Sequence, residues 1–72
     1  MGDILSDLVN RFTYHAPKEG QPKRYEDMRD YALGFAKHIV NQTPSSREQS
    51  LALTHLEEAV FWANAAIARH EQ

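Results

Sequence analysis

Hydrophobic residues recur at helical spacing in three segments of the chain, and no segment shows the alternation of a β-strand. The segments span about residues 3–12, 22–41 and 46–70. A loop with Pro17 and Gly20 separates the first two, and a break of about four residues at Pro44 separates the last two. So short a connection makes helices antiparallel neighbours. We therefore predict an all-α fold, a short N-terminal helix followed by a long antiparallel helical hairpin, in a single domain over residues 1–72.

The two long segments differ in how their apolar residues are distributed. The second is amphipathic, with charged residues off one apolar face formed by Tyr25, Met28, Ala32, Phe35, Ala36 and Ile39. The third has a face formed by Ala52, Leu56, Ala59, Val60, Ala63, Ala66 and Ile67, but residues 59–68 read AVFWANAAIA and are apolar on every side. One partner helix cannot cover such a helix, so we expect self-association into a homo-oligomer, with Phe61 or Trp62 near an interface.

Residues at the segment ends match the usual helix-boundary signals. Asp3 can cap the first helix, and Pro22 suits the first position of the second. Ser45 and Glu48 fit the S-x-x-E spacing of a capping box at the start of the third. Gly34 lies inside the second helix, where a glycine costs about 1 kcal/mol relative to alanine, and a close helix–helix approach would explain it.

Length and composition exclude several classes of protein. The chain has 72 residues, is 42% hydrophobic and carries 8 Lys and Arg against 10 Asp and Glu, a net charge of −2. That balance does not provide the broad basic face of a DNA-binding protein, and no apolar run approaches the roughly 20 residues of a membrane span. Without cysteine there are no disulfides, thiolate zinc sites or thiol nucleophiles, which fits a reducing cytosol. A chain this small usually needs another source of stability, and oligomerisation is the one that remains.

Nothing in the sequence forms a recognisable catalytic or metal-binding arrangement. The four histidines make no H-x-x-x-H pair, and there is no G-x-S-x-G motif or phosphate-binding glycine loop. Glu57 and Glu58 are adjacent, but neighbouring helical residues point about 100° apart. We therefore predict a protein that is not an enzyme, with no catalytic residues, no metal and no cofactor.

Residues suited to binding a small anion gather near the first loop. Two aromatic residues, Phe12 and Tyr14, lie beside His15 and Lys18, and an antiparallel hairpin brings the end of the third helix to the same place. Aromatic faces, cations and a helix N-terminus together suit a ligand that carries bases and phosphates. The alternative is a loop with solvated charges and an anchoring aromatic pair. The cations predicted at this end are Lys18, Lys23, Arg24, Arg29 and Arg69, with His15 and His70.

Two further polar residues have more than one interpretation. Arg47 opposes the helix dipole in the first turn of the third helix, which makes it either an exposed surface residue or a second anion site at the far end of the hairpin. Asn64 is the single polar residue in the apolar run, and it would either set the register of an interface or contact a ligand.

Four motifs in order resemble the hairpin domain of small phage proteins that sequester cyclic-nucleotide immune signals. They are F-x-Y-H-x-P, Q-x-x-R-Y, S-R-E-x-S-x-A-x-T-x-L-E-E-A and W-x-N-A-A-I-A-R, and they extend over about residues 12–69. These phage proteins act as sponges: they bind the signals of the bacterial CBASS and Thoeris defences tightly without cleaving them.

The resemblance implies an oligomer, commonly a hexamer, in the cytoplasm of an infected host bacterium. Its partners would be cyclic di- or trinucleotides or cyclised ADP-ribose signals, bound between protomers by aromatic stacking and by Lys and Arg. A helical adaptor or structural accessory protein with no small ligand remains the alternative. The nucleotide-binding residues that the motifs and the cation cluster imply are Phe12, Tyr14, His15, Lys18, Arg24, Asn64 and Arg69, with Arg47 at a separate trinucleotide site.

Overall fold

The computed structural model describes residues 3–71, which form three α-helices and no β-strand. Helix α1 spans Ile4–Arg11, α2 spans Gln21–Gln42 and α3 spans Arg47–His70. Polar contacts join the start of α2 to the end of α3, so the two long helices are antiparallel. The all-α helical hairpin predicted from the sequence is confirmed. The predicted single domain also includes residues 1, 2 and 72, which lie outside the described residues.

The helix caps explain where α1 and α3 begin. The Asp3 carboxylate accepts a hydrogen bond from the Leu5 N–H at 3.1 Å, as predicted. The predicted cap of α3 was wrong by one residue: Ser46, not Ser45, is the N-cap, and its Oγ accepts from the Gln49 N–H at 3.1 Å. The pair Ser46–Gln49 has the same capping-box spacing as Ser45–Glu48. The Gln49 side-chain amide decides between them, because it donates to the carbonyl and hydroxyl oxygens of Thr43 and holds the chain in that register.

Helix α2 begins after a residue that needs glycine. Gly20 has φ 83°, in the left-handed region that side chains disfavour, and Gln21 rather than Pro22 is the first helical residue. The Gln21 N–H donates to the Lys18 carbonyl oxygen at 3.0 Å, which closes the turn before the helix. This turn directs the Gln21 side chain inward, where it is only 5% exposed.

The seam between α2 and α3 differs in part from the predicted faces. A row of buried and half-buried apolar residues on α3 repeats at alternating intervals of three and four, as in a coiled coil: Leu53, Leu56, Val60, Ala63 and Ile67. Ala52, Ala59 and Ala66 were predicted on this face but are exposed. They repeat every seven residues beside the seam. The prediction was wrong for them because periodicity alone does not show which side of a helix pairs with its neighbour when several sides are apolar.

On α2, the predicted apolar face was wrong at Phe35. This residue was predicted to lie on the apolar face, yet it is 55% exposed and its ring stacks against His38 with centroids 6.5 Å apart. The neighbouring Ala36, predicted on the same face, is half-buried. A small residue at the seam allows the helices to pack closely, and the bulky phenyl ring then lies outside.

A single seam leaves much of the apolar surface in water. Among the described apolar side chains, Ile67 alone is buried, at 7% exposure, while Trp62 is 66% exposed. The excess of exposed apolar surface predicted for α3 is therefore present, and it extends to α1, which has no buried residue. No helix within residues 3–71 is long and apolar enough to cross a bilayer. The large apolar side chains left exposed include Ile4, Leu5, Val9, Phe12, Leu33, Val40 and Phe61.

We predict opposite effects for alanine at Gly20, just before α2, and at Gly34, inside α2. Gly20→Ala should lower the free energy of unfolding by about 1–2 kcal/mol, because alanine disfavours a left-handed backbone. Gly34→Ala should raise it by about 0.5–1 kcal/mol, because alanine is the better helix former and a Cβ there meets nothing within 4 Å. Urea denaturation followed by circular dichroism measures both.

The predicted close helix approach at Gly34 does not occur within the hairpin, since that space is open. A loss of stability in Gly34→Ala would contradict the expected gain. It would show that another protein surface packs against that glycine.

Candidate ligand-binding site

The loop before α2, the start of α2 and the end of α3 meet at one end of the hairpin, which we call the loop end (residues 12–24 and 67–71). Asn10 connects α1 to it: its side-chain amide donates to the Arg69 carbonyl oxygen at 3.1 Å. The His15 ring donates from Nε2 to the Asn10 carbonyl oxygen at 2.8 Å. The structure thus brings His15 and the end of α3 to the same place, as antiparallel geometry predicted.

A shallow pocket of about 320 Å³ opens at the loop end. Three of the residues predicted to bind a nucleotide line it, Tyr14, His15 and Lys18, together with Ala16, Gln21 and Ala68. The Tyr14 side chain is 83% exposed, so a face of its ring is available for stacking. The pocket combines an aromatic surface with a cation, which is the combination that binds a nucleobase next to a phosphate.

Arg24 lies next to this pocket and forms a bidentate ion pair. Its two terminal nitrogens donate to the two carboxylate oxygens of Glu71, each at 2.7 Å. The Gln21 amide nitrogen donates to Glu71 Oε1 and to the Ile67 carbonyl oxygen, both at 3.4 Å. The hydrogen bonds from Arg24 lower the pKa of Glu71 below its ordinary value, and those to Glu71 raise the pKa of Arg24. Both groups are charged at neutral pH, and the pair ties the two long helices together.

Sequence reasoning missed Gln21 and Glu71. Gln21 belongs to the Q-x-x-R-Y motif, but its place at the first position of α2 depends on the turn at Gly20. Glu71 lies just after α3, and the signal that could have identified it is its opposite charge to Arg24 at the end where antiparallel helices meet.

Two predicted residues of the loop end lie outside the Tyr14 pocket. Arg69 lines a different cleft of about 320 Å³ on the outer face of α3, with Glu58, Phe61, Trp62 and Ala65. Phe12 is exposed, and its ring centroid lies 5.9 Å from the guanidinium carbon of Arg11. Within one protomer, Phe12 and Arg69 therefore do not line the Tyr14 pocket.

Asn64 and Arg47 are also separate from the pocket. Asn64 Oδ1 is buried and accepts no hydrogen bond within the described part of the chain. A buried carbonyl oxygen without a donor costs about 1–3 kcal/mol of stability, so a hydrogen bond donated to it would stabilise the fold. Arg47 is the exposed first residue of α3, about 33 Å of helix rise from Arg69. Its distance from the loop end agrees with the prediction of a separate position.

An apolar groove of about 500 Å³ lies along one side of the hairpin. It runs between α2 and α3 past Ala32, Leu33, Leu53 and Phe61. This chemistry suits a protein surface rather than a phosphate-bearing ligand. Within residues 3–71, no cluster of three or more His, Asp or Glu side chains is placed to hold a metal ion.

Comparison with known proteins places the chain in a family. A family model described as "Acb2/Tad1, hairpin domain" matches residues 5–68. No curated protein and no solved structure gives a significant match. The matched region includes the Tyr14 pocket and Arg24 and ends just before Arg69 and Glu71. Members of this family are binding proteins of the sponge type and not enzymes. The chain belongs to the Acb2/Tad1 hairpin-domain family, the anti-CBASS and anti-Thoeris sponges.

Proposed function

We propose that this protein sequesters a cyclic di- or trinucleotide, or a cyclised ADP-ribose signal, in the cytoplasm of an infected bacterium and so blocks CBASS or Thoeris defence. The observation that carries the proposal is the pocket at the loop end, where Tyr14, His15 and Lys18 share one surface next to Arg24. Lowering the free concentration of a signal requires tight binding and no chemistry. The family match supports the general role, and the residues of the pocket support a ligand with bases and phosphates.

Each side chain of the pocket has a role that its chemistry supports. Tyr14 stacks on a base, and Lys18 and Arg24 bind the phosphates, Arg24 by two parallel hydrogen bonds. His15, oriented by Asn10, donates or accepts at the edge of the ligand. A volume of about 320 Å³ is at the lower limit for a small-molecule site. A cyclic di- or trinucleotide is larger than this volume, so the rest of such a ligand extends outside the pocket.

We further propose that the protein works as a homo-oligomer, a hexamer by resemblance to its family, with the pocket completed by a second protomer. Two observations on a single chain support association: the exposed Trp62 and the uncovered apolar groove. Assembly would also bring residues such as Phe12 and Arg69 to the Tyr14 pocket of another copy. Arg47, at the opposite end, would then serve a separate trinucleotide site.

An adaptor or structural protein without a small ligand is the second candidate. The exposed apolar surface favours it as much as it favours a sponge, because either function needs an assembled protein. The grouping of Tyr14, Lys18 and Arg24 at one end favours the sponge, and ligand binding separates the two.

For ligand binding, we predict that Tyr14→Ala weakens the binding of a cyclic dinucleotide by about 1–3 kcal/mol, the contribution of one stacked base. Tyr14→Phe should retain most of the affinity, because the ring remains. Calorimetry on a cyclic dinucleotide chosen from a thermal-shift panel measures this. Arg47→Ala is the control and should bind the same ligand like the parent. Equal binding by Tyr14→Ala and the parent would show that the pocket is misplaced.

For assembly, we predict a mass well above 8.3 kDa by light scattering at micromolar concentration. Trp62→Glu should shift the protein toward smaller species, because a charge at a buried interface loses its hydration. Trp62→Phe should remain assembled. A folded monomer of the parent protein would contradict the proposal.

For chemistry, we predict that bound ligand is recovered intact when the protein is denatured, because the proposed site has no activated nucleophile or acid–base pair. Chromatography of the released ligand after a long incubation measures this. A linear product formed by the parent protein but not by Tyr14→Ala would identify a hydrolase instead.

A further inference from the structure

The loop end contains a set of donors that already binds an anion, the carboxylate of Glu71. Arg24 donates one hydrogen bond to each carboxylate oxygen at 2.7 Å, and the Gln21 amide adds a third at 3.4 Å. A guanidinium binds two oxygens of a phosphate in the same bidentate manner as it binds a carboxylate. The donors that hold Glu71 are therefore suited to a phosphodiester.

One member of this set is fixed in place without Glu71. Gln21 is 5% exposed, and its Oε1 accepts from the Lys18 N–H at 2.8 Å. With the amide oxygen held there, the amide NH₂ must point toward the end of α3, where it also reaches the Ile67 carbonyl oxygen. The Gln21 donor stays oriented whether or not a carboxylate is present.

Glu71, in contrast, is replaceable. It follows the last residue of α3, and both its side chain and that of Arg24 are substantially exposed. An ion pair so open to water contributes little to stability, so another anion can exchange with it. Gln21 lines the Tyr14 pocket and also contacts Glu71, so a ligand in that pocket has its phosphate beside this carboxylate. Glu71 also lies beyond the residues 5–68 that match the family, so the matched domain does not account for it.

We propose that Glu71 is an internal competitor for the phosphate-binding donors of the loop end, which a ligand phosphate must displace from Arg24 and Gln21. The inference rests on the proposed function and adds a specificity-determining residue to it. A phosphate-bearing ligand replaces the carboxylate and keeps the same hydrogen bonds. A neutral base or nucleoside in the Tyr14 pocket leaves Glu71 in place and gains nothing from Arg24.

The test compares Glu71→Gln with the parent by calorimetry, with cyclic di-GMP, 3′,3′-cyclic GMP–AMP and cyclic triadenylate as ligands and inorganic pyrophosphate as a base-free probe. We expect Glu71→Gln to bind at least one of them about two- to tenfold more tightly, since an exposed carboxylate no longer competes. Glu26→Gln removes the same charge from an exposed position near the same end of α2, and its affinity should change less than twofold.

Two further measurements separate competition from a structural role. The ligand-free Glu71→Gln protein should melt at the same temperature as the parent or lower, because it loses a tie between α2 and α3. A purely structural tie would lower affinity together with melting temperature, whereas a competitor raises affinity. In an Arg24→Gln background, Glu71→Gln should change affinity less than it does in the parent, because Arg24, the main group for which Glu71 competes, is absent.

The outcomes distinguish this inference from the proposed function. If the parent binds a cyclic nucleotide and Glu71→Gln binds it equally or less tightly, the inference is wrong and the sponge function stands. If no cyclic nucleotide binds either protein, the sponge function fails. The binding of pyrophosphate then tests the inference. Tighter binding of pyrophosphate by Glu71→Gln than by the parent supports it, and equal or absent binding overturns it.

Discussion

The pairing of α2 with α3 along one apolar seam is the constraint on which the rest of the structure depends. Two helices share a single interface, so each presents one side to the other and every other side to solvent. The seam uses small or medium residues such as Ala36 and Ala63, and larger side chains such as Phe35 and Trp62 lie outside it. The hairpin therefore combines a defined internal contact with an apolar exterior, and that exterior is the basis of the proposed assembly.

The same antiparallel seam creates the loop end. It places the first turn of α2 beside the last turn of α3, and polar groups complete the connection where the apolar seam stops. Gln21 and Arg24 from α2 meet Glu71 after α3, and Asn10 attaches α1. Binding chemistry and helix pairing are thus adjacent: the residues that close the end of the hairpin are also those that offer donors to an anion.

The sequence predicted the architecture well because helical periodicity and two loops leave few alternatives in a chain of this length. All three helices begin and end within about one residue of expectation, and the meeting of the α2 start with the α3 end is confirmed. The paired side of α3 was less well predicted, because apolar residues surround that helix and periodicity cannot rank its sides. Ser45 was mistaken for the cap because two adjacent serines satisfy the same rule, and the contact of Gln49 with Thr43 that selects Ser46 is not a local pattern. In the site, Tyr14, His15 and Lys18 do converge, whereas Arg24 has a partner, Glu71, that becomes evident only when the chain is folded.

Helix α1 has a consequence for how the protein gains and loses order. It has eight residues, none of them buried, and a helix so short is not stable by itself in water. Its helical state therefore depends on its attachment through Asn10 and on whatever covers its apolar side. Amide hydrogens of α1 should exchange with solvent far sooner than those along the seam. A surface that covers Ile4, Leu8 and Phe12 would slow that exchange and leave the hairpin unchanged. Contact with another molecule would therefore stabilise the helical state of α1.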